Sequence, residues 1–191
     1  MAKSTGKLKR TAVFISGTGS NLKNLIKFSF TRKSPIKICL VISNNRNALG
    51  IKYAKKYRIR VKIFKFNKTK SDDNKILSYL KKNKIKLICL AGFMKILSKN
   101  FIDYFKGKII NIHPSLLPKY KGLHTHAKAI KNKDLYAGCT VHYVTSKLDS
   151  GKIIMQKKIK ILKKDNEITL SKKVLKLEHK IYPYSIIKVC D

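Results

Sequence analysis

The chain has 191 residues, with 45 lysines and arginines against nine acids, a formal net charge of +36. This length suits one domain (1–191) with a real core, and no apolar run reaches the roughly 20 residues of a membrane span or forms a signal-peptide core, so a cytoplasmic protein without a membrane partner is expected. The cations are 40 Lys and 5 Arg without a block or stripe, which points to composition bias and argues against a specific nucleic-acid reader, while still favouring anionic substrates.

Residues 1–9 read as a disordered basic extension. Thr11–Ser16 is a β-branched, aromatic-rich run that predicts the first strand, running into Gly17-Thr-Gly-Ser-Asn21 and then a helix with Leu22, Leu25 and Ile26 on one face. Ile36–Ile42 predicts a second buried strand, followed by a helix to about Tyr57, and Arg60–Phe64 a third strand. Ile76, Leu77 and Leu80 mark the next helix, Ile85–Ala91 the fourth strand and Lys108–Asn111 part of the fifth. A helix around Ala127–Ile130, strands over Gly138–Val144 and Lys152–Ile161, and a helix from Glu167 to Ser185 complete the chain. Alternation at this spacing predicts an α/β fold: a mostly parallel twisted sheet flanked by helices, Rossmann-like, with an antiparallel element near its C-terminal part. The four cysteines are far apart, three of them in apolar runs, and read as small buried hydrophobes; no metal site is expected.

Two features point to chemistry. Glycines between strand one and helix one permit a tight turn, and amides at a helix N-terminus suit a phosphate. The loop lacks both the third glycine of a dinucleotide fingerprint and the Gly-Lys-Ser/Thr ending of a P-loop, so a mononucleotide-like phosphate fits it better. The second is Asn111-Ile-His113 at the end of a strand. Alternation puts both side chains on one face, and Pro114 then stops the ladder.

Five blocks in order resemble the phosphoribosylglycinamide formyltransferase family. They are Ile15-Ser-Gly-Thr-Gly-Ser-Asn-Leu22, Leu90-Ala-Gly-Phe-Met-Lys-Ile-Leu97, Asn111 through His126, Gly138 through Gly151, and Glu178-His179 with Ile181-Tyr-Pro183. The resemblance implies transfer of a formyl group from 10-formyltetrahydrofolate to the glycyl amine of phosphoribosylglycinamide, a step of purine biosynthesis, without a metal. It implies that His113 moves the proton, that Asn111 donates to the formyl oxygen, and that Asp149 raises the pKa of His113. It assigns Gly19, Ser20 and Asn21 to the nucleotide phosphate, and Glu178, with Leu175, Lys176 and Leu177 beside it, to the ribose. Met94, Lys95, Ile96 and Leu97 would wall the folate slot, and Thr145, Ser146, Lys147, Leu148 and Asp149 would close on the pterin. His124, His126 and His142 are read as structural, and a monomer or homodimer is expected.

Three departures stand out. Lys152 replaces the family's usual proline after Gly151, no arginine for the folate tail occurs among Asn67 to Asn74, and the chain stops at Asp191 without the usual tail. These predict a looser loop, weaker folate affinity and reduced stability. Two rivals share the fold and chemistry but carry extra domains: methionyl-tRNA formyltransferase and formyltetrahydrofolate hydrolase. A non-catalytic polyanion-binding protein on the same fold is opposed by the intact Asn111, His113 and Asp149.

Overall fold

The computed structural model describes residues 8–191, which fall into two compact units: residues up to Ile110 with Cys190 and Asp191, and Asn111–Val189. Residues 1–7 of the expected basic extension lie outside the described residues. Lys9 is already the first residue of β1 (Lys9–Ile15), its N–H bonded to the Pro35 carbonyl at 2.8 Å.

In the first unit β1 pairs in parallel with β2 (Ile36–Ser43) and β4 (Leu87–Leu90), and β2 with β3 (Arg60–Ile63), in the order β3-β2-β1-β4. The first half of β5 (Lys108–His113) follows β4. Ala12–Ile15, Leu40–Ile42 and Leu87–Cys89 are wholly buried, as strands covered on both faces must be; hence their unbroken apolar sequences. Helix α1 (Ser20–Ser29) buries Leu22, Leu25 and Ile26; α2 (Gly50–Lys56) and α3 (Lys70–Lys82) follow, the last N-capped by Thr69, whose hydroxyl accepts the Asp72 N–H at 3.1 Å.

Helix α4 (Lys99–Tyr104) has no counterpart among the predicted elements. Its six residues are too few for a periodic signal, but Ser98 caps the Phe101 N–H at 2.9 Å, and the Ser98 hydroxyl and Asn100 amide both donate to the buried Asp73 carboxylate. Phe101 is wholly buried beside Phe14.

In the second unit, α5 (Thr125–Lys131) leads to β6 (Tyr136–Tyr143), which pairs antiparallel with β7 (Ile153–Lys160); the strand order is β5-β6-β7. The chain is thus α/β, with parallel pairing in its first unit and an antiparallel pair late in the sequence, as expected. Helix α6 (Glu167–Cys190) runs past the expected end at Ser185 and through Pro183, because the burial of Tyr182, Ile186 and Val189 holds its last turns. All four cysteines are free; Cys89 and Cys139 are buried, whereas Cys39 and Cys190 are only half-buried. Among the described residues no helix is long and apolar enough to cross a membrane.

Candidate active site

Every group of the polar centre belongs to the second unit. Strand β5 delivers Asn111 and His113, β6 delivers His142, and the turn between β6 and β7 delivers Asp149. His113 Nδ1 lies 3.4 Å from Asp149 Oδ2, and His142 Nε2 lies 3.6 Å from Asp149 Oδ1. The side chains of His113 and Asp149 are only 7% and 8% exposed. One carboxylate therefore faces two imidazoles in a nearly dry setting.

The ring nitrogens have defined partners. His142 Nδ1 is 2.8 Å from the Tyr143 carbonyl, to which only a protonated nitrogen can donate. In the neutral ring Nε2 is then an acceptor, and it takes an N–H from Asn111 Nδ2 at 3.3 Å. That bond sets which way the Asn111 amide points and leaves its second N–H unspent. His113 Nε2 donates to the Tyr120 carbonyl at 2.8 Å, so the neutral ring keeps its lone pair at Nδ1, against Asp149.

The turn that supplies the Tyr120 carbonyl is anchored from below. Thr140 Oγ1 donates to the Ser115 carbonyl at 2.6 Å, accepts the Leu117 N–H at 3.1 Å and accepts from Gln156 Nε2 at 2.9 Å. Gln156 also donates to the Leu117 carbonyl, and Tyr120 Oη donates to Asp134. Thr140→Val keeps the shape but strands buried donors, so a loss of about 1–3 kcal/mol is expected in chemical denaturation. An unchanged midpoint would show that this network carries no stability.

Asp149 sits at φ 44, in the left-handed region, and its Oδ2 accepts the Gly122 N–H at 2.9 Å. A Cβ on Gly151 would lie 1.8 Å from the Tyr143 carbonyl oxygen, so only glycine lets the chain re-enter β7 there. The Lys152 carbonyl accepts the Tyr143 N–H at 3.0 Å, so the backbone is tied at the position where a proline was expected.

Asp149 pushes the His113 pKa up, as expected, but a larger effect opposes it. Burial holds His113 below its ordinary value of 6.5; the Tyr120 hydrogen bond and the Asp149 charge push it up but do not overcome burial. Asp149 therefore lies beside a ring whose neutral form burial favours. Burial pushes the Asp149 carboxyl up, yet contact with His142, the Gly122 N–H and the two rings' charges together leave it lowered.

Burial also lowers His126 and His179. For these three histidines the unfolded chain binds more protons just below pH 6.5 than the folded one, so stability should fall as pH drops through that window. Asp149 adds a further loss only below 3.8. Melting temperature measured from about pH 7 to about pH 5 tests the histidine part; a flat profile would contradict it.

The other expected residues divide between the units. In the first, Gly19 (φ 74) precedes α1, and a Cβ there would come within 2.4 Å of Gly50 Cα, which fixes its identity. Ser20 opens α1 and Asn21 is buried. The Ser16 hydroxyl donates to Asn44 and accepts the Met94 N–H at 2.8 Å, joining the glycine loop to the segment after β4. Of that segment Met94, Lys95 and Ile96 are exposed, whereas Leu97 is core. In the second unit Thr145–Leu148 are exposed beside Asp149. Glu178 is 7% exposed on α6 and, after burial, contributes to raising the Cys139 thiol; Leu177 is buried, Leu175 half-buried and Lys176 exposed.

His142, read from sequence as structural, is a full member of the polar centre. Its one sequence signal is position: it stands next to last on an alternating strand, 31 residues from Asn111. Among the described residues no group of three His, Cys, Asp or Glu side chains is arranged to hold a metal ion.

The formyl transferase family profile matches residues 9–186. The chain is 41% identical over 182 residues to the phosphoribosylglycinamide formyltransferase of Haemophilus influenzae, covering 94% of this chain and 86% of that one. It is 40% identical over 183 residues to the human trifunctional purine biosynthetic protein adenosine-3, covering 94% of this chain but 18% of that longer protein. The crystal structure of phosphoribosylglycinamide formyltransferase from Brucella melitensis superposes with a TM-score of 0.91 at 41% identity, covering 96% of each chain.

Proposed function

The chain belongs to the formyl transferase family, and from that premise we propose that it is a cytoplasmic enzyme moving a formyl group from 10-formyltetrahydrofolate to the glycyl amine of phosphoribosylglycinamide, in purine biosynthesis. The observation that supports this most directly is the meeting of Asn111, His113 and Asp149 around buried hydrogen bonds and ion-pair contacts.

The amine nitrogen attacks the formyl carbon and the carbonyl oxygen becomes an oxyanion. Asn111 Nδ2, held by His142, has one N–H left to donate to it. As the C–N bond forms the amine must lose a proton, and neutral His113 can accept it at Nδ1. The new imidazolium then faces the Asp149 carboxylate at 3.4 Å. Cleavage of the bond from carbon to N10 releases tetrahydrofolate, whose N10 takes the proton back from His113. The charge carried by the protein thus changes only in transit, next to a fixed counter-charge.

Around this chemistry we assign Gly19, Ser20 and Asn21 to the substrate phosphate and Glu178, with Leu175, Lys176 and Leu177, to its ribose. Met94, Lys95, Ile96 and Leu97 are assigned to the folate, Leu97 through its backbone because its side chain is core. Thr145 through Asp149 cover the pterin. The net charge of +36 favours encounter with both anionic substrates.

The deciding experiment follows tetrahydrofolate release from 10-formyltetrahydrofolate with and without phosphoribosylglycinamide. Release that requires the nucleotide and is lost in Asn111→Ala supports the assignment. Nucleotide-independent release would identify a hydrolase instead, and no release from folded protein would reject this acceptor.

A further inference from the structure

Three of the chain's five arginines meet at one place in the first unit. Arg10 near the start of β1, Arg58 just before β3 and Arg60 at its first position line a groove of about 710 Å³. The groove lies at the N-terminal ends of these strands, whereas the glycine loop follows the C-terminal end of β1. Lys37 also lines it, as the register partner of Arg10 on the neighbouring strand. Like charges set side by side across a parallel pair repel, and none of the lining side chains is acidic.

Two of the guanidiniums are held in place by one residue. Arg10 Nε donates to the Asn83 backbone carbonyl at 2.8 Å, and Arg60 donates to the Asn83 side-chain oxygen at 3.0 Å. Asn83 is itself fixed by donating to the Tyr79 carbonyl at 2.8 Å, at the end of α3. A guanidinium has five N–H donors, and each of these bonds takes one. The remainder form a pre-positioned fork of the kind that pairs with phosphate oxygens, with less ordering to pay for on binding.

An aromatic surface adjoins this charge. Phe30, at the C-cap of α1, is 70% exposed and lies 5.9 Å from the Tyr57 ring with planes at 30°. The carbonyl ends of α1 and α2 account for the lysines of their last turns. They do not account for arginines converging from β1 and β3 beside an exposed ring. A flat apolar face for a base, cations for phosphates and a volume within the roughly 300–1,000 Å³ range of small-molecule sites together define a ligand class.

We propose that this groove is a second ligand site, for a nucleoside polyphosphate whose phosphates lie on Arg10, Arg58 and Arg60 and whose base stacks on Phe30. It is separate from the glycine loop and does not depend on what that loop binds.

The test is calorimetric titration of the full chain with adenosine triphosphate, inorganic tripolyphosphate and adenosine, at about 0.15 M salt so that diffuse charge attraction is screened. Saturable one-to-one binding of the nucleotide is expected, weakened about ten-fold or more in Arg58→Gln/Arg60→Gln. Phe30→Ala should weaken the nucleotide and leave tripolyphosphate unchanged. Arg32→Gln, exposed and outside the groove, should change neither. All these positions are exposed, and circular dichroism checks each fold. Photolabelling with 8-azidoadenosine triphosphate should mark the peptides carrying Phe30 or Tyr57. Absence of saturable binding, an equal loss in Arg32→Gln, indifference to Phe30→Ala, or a label on residues 16–22 would each overturn the proposal.

Discussion

Replacing His113 by alanine should lower turnover by about 10²–10⁴-fold, or about 2.7–5.4 kcal/mol in barrier height, while the protein stays folded. Of the two rings beside Asp149, His142 already accepts the Asn111 N–H at its unprotonated nitrogen, whereas His113 Nδ1 has no such donor, so its loss removes both the proposed proton acceptor and the ion pair formed in transit. The fold should survive because the neighbours keep partners. Asp149 retains the Gly122 N–H and His142, while the Tyr120 hydroxyl retains Asp134. The measurement is single-turnover formyl transfer, alongside circular dichroism and a denaturation curve. Turnover within a few-fold of the parent would remove His113 from the chemistry; an unfolded variant would make the same comparison necessary with His113→Gln.

What was legible in the sequence follows from what forms locally. Strands buried on both faces, such as Ala12–Ile15 and Leu40–Ile42, announce themselves as apolar runs, and Asn111 and His113 share a face because strands alternate. Helix α4 is held by Ser98 and Asp73, a partnership 25 residues apart that no periodicity encodes. The end of α6 depends on tertiary packing around Tyr182 and Ile186, which outweighs the breaking tendency of Pro183. His142 carries no local mark of its bond to Asn111. The upward push of Asp149 on His113 was legible because a charged neighbour can be named from motif positions, whereas the depth of burial that outweighs it cannot. Arg10, Arg58 and Arg60 look scattered along the chain and become a cluster only when β1 and β3 bring their starting ends to one groove.

Asp149→Asn should cost about 10²–10⁴-fold in turnover and move the acid limb of the pH–rate profile to lower pH. Asparagine is the substitution that isolates charge from shape. It tolerates the left-handed conformation that Asp149 adopts at φ 44, and its side-chain oxygen can still accept the Gly122 N–H. What it removes is the negative charge between two imidazoles. In the parent, that charge raises His113 toward protonation against the larger effect of burial, so its loss must lower the ring's pKa further below 6.5. Activity that needs a neutral His113 then persists to more acidic pH, but at a reduced plateau, because the imidazolium formed in transit has lost its counter-charge. An amide N–H donated to Nδ1 would stabilise the neutral ring and shift the limb in the same direction. A purely structural Asp149 predicts something different: a fall in stability and amplitude with the limb unmoved. The pH dependence of kcat/KM for formyl transfer, from about pH 5 to about pH 9, separates the two. A limb displaced to higher pH, or an unchanged plateau, would mean that Asp149 does not act through His113.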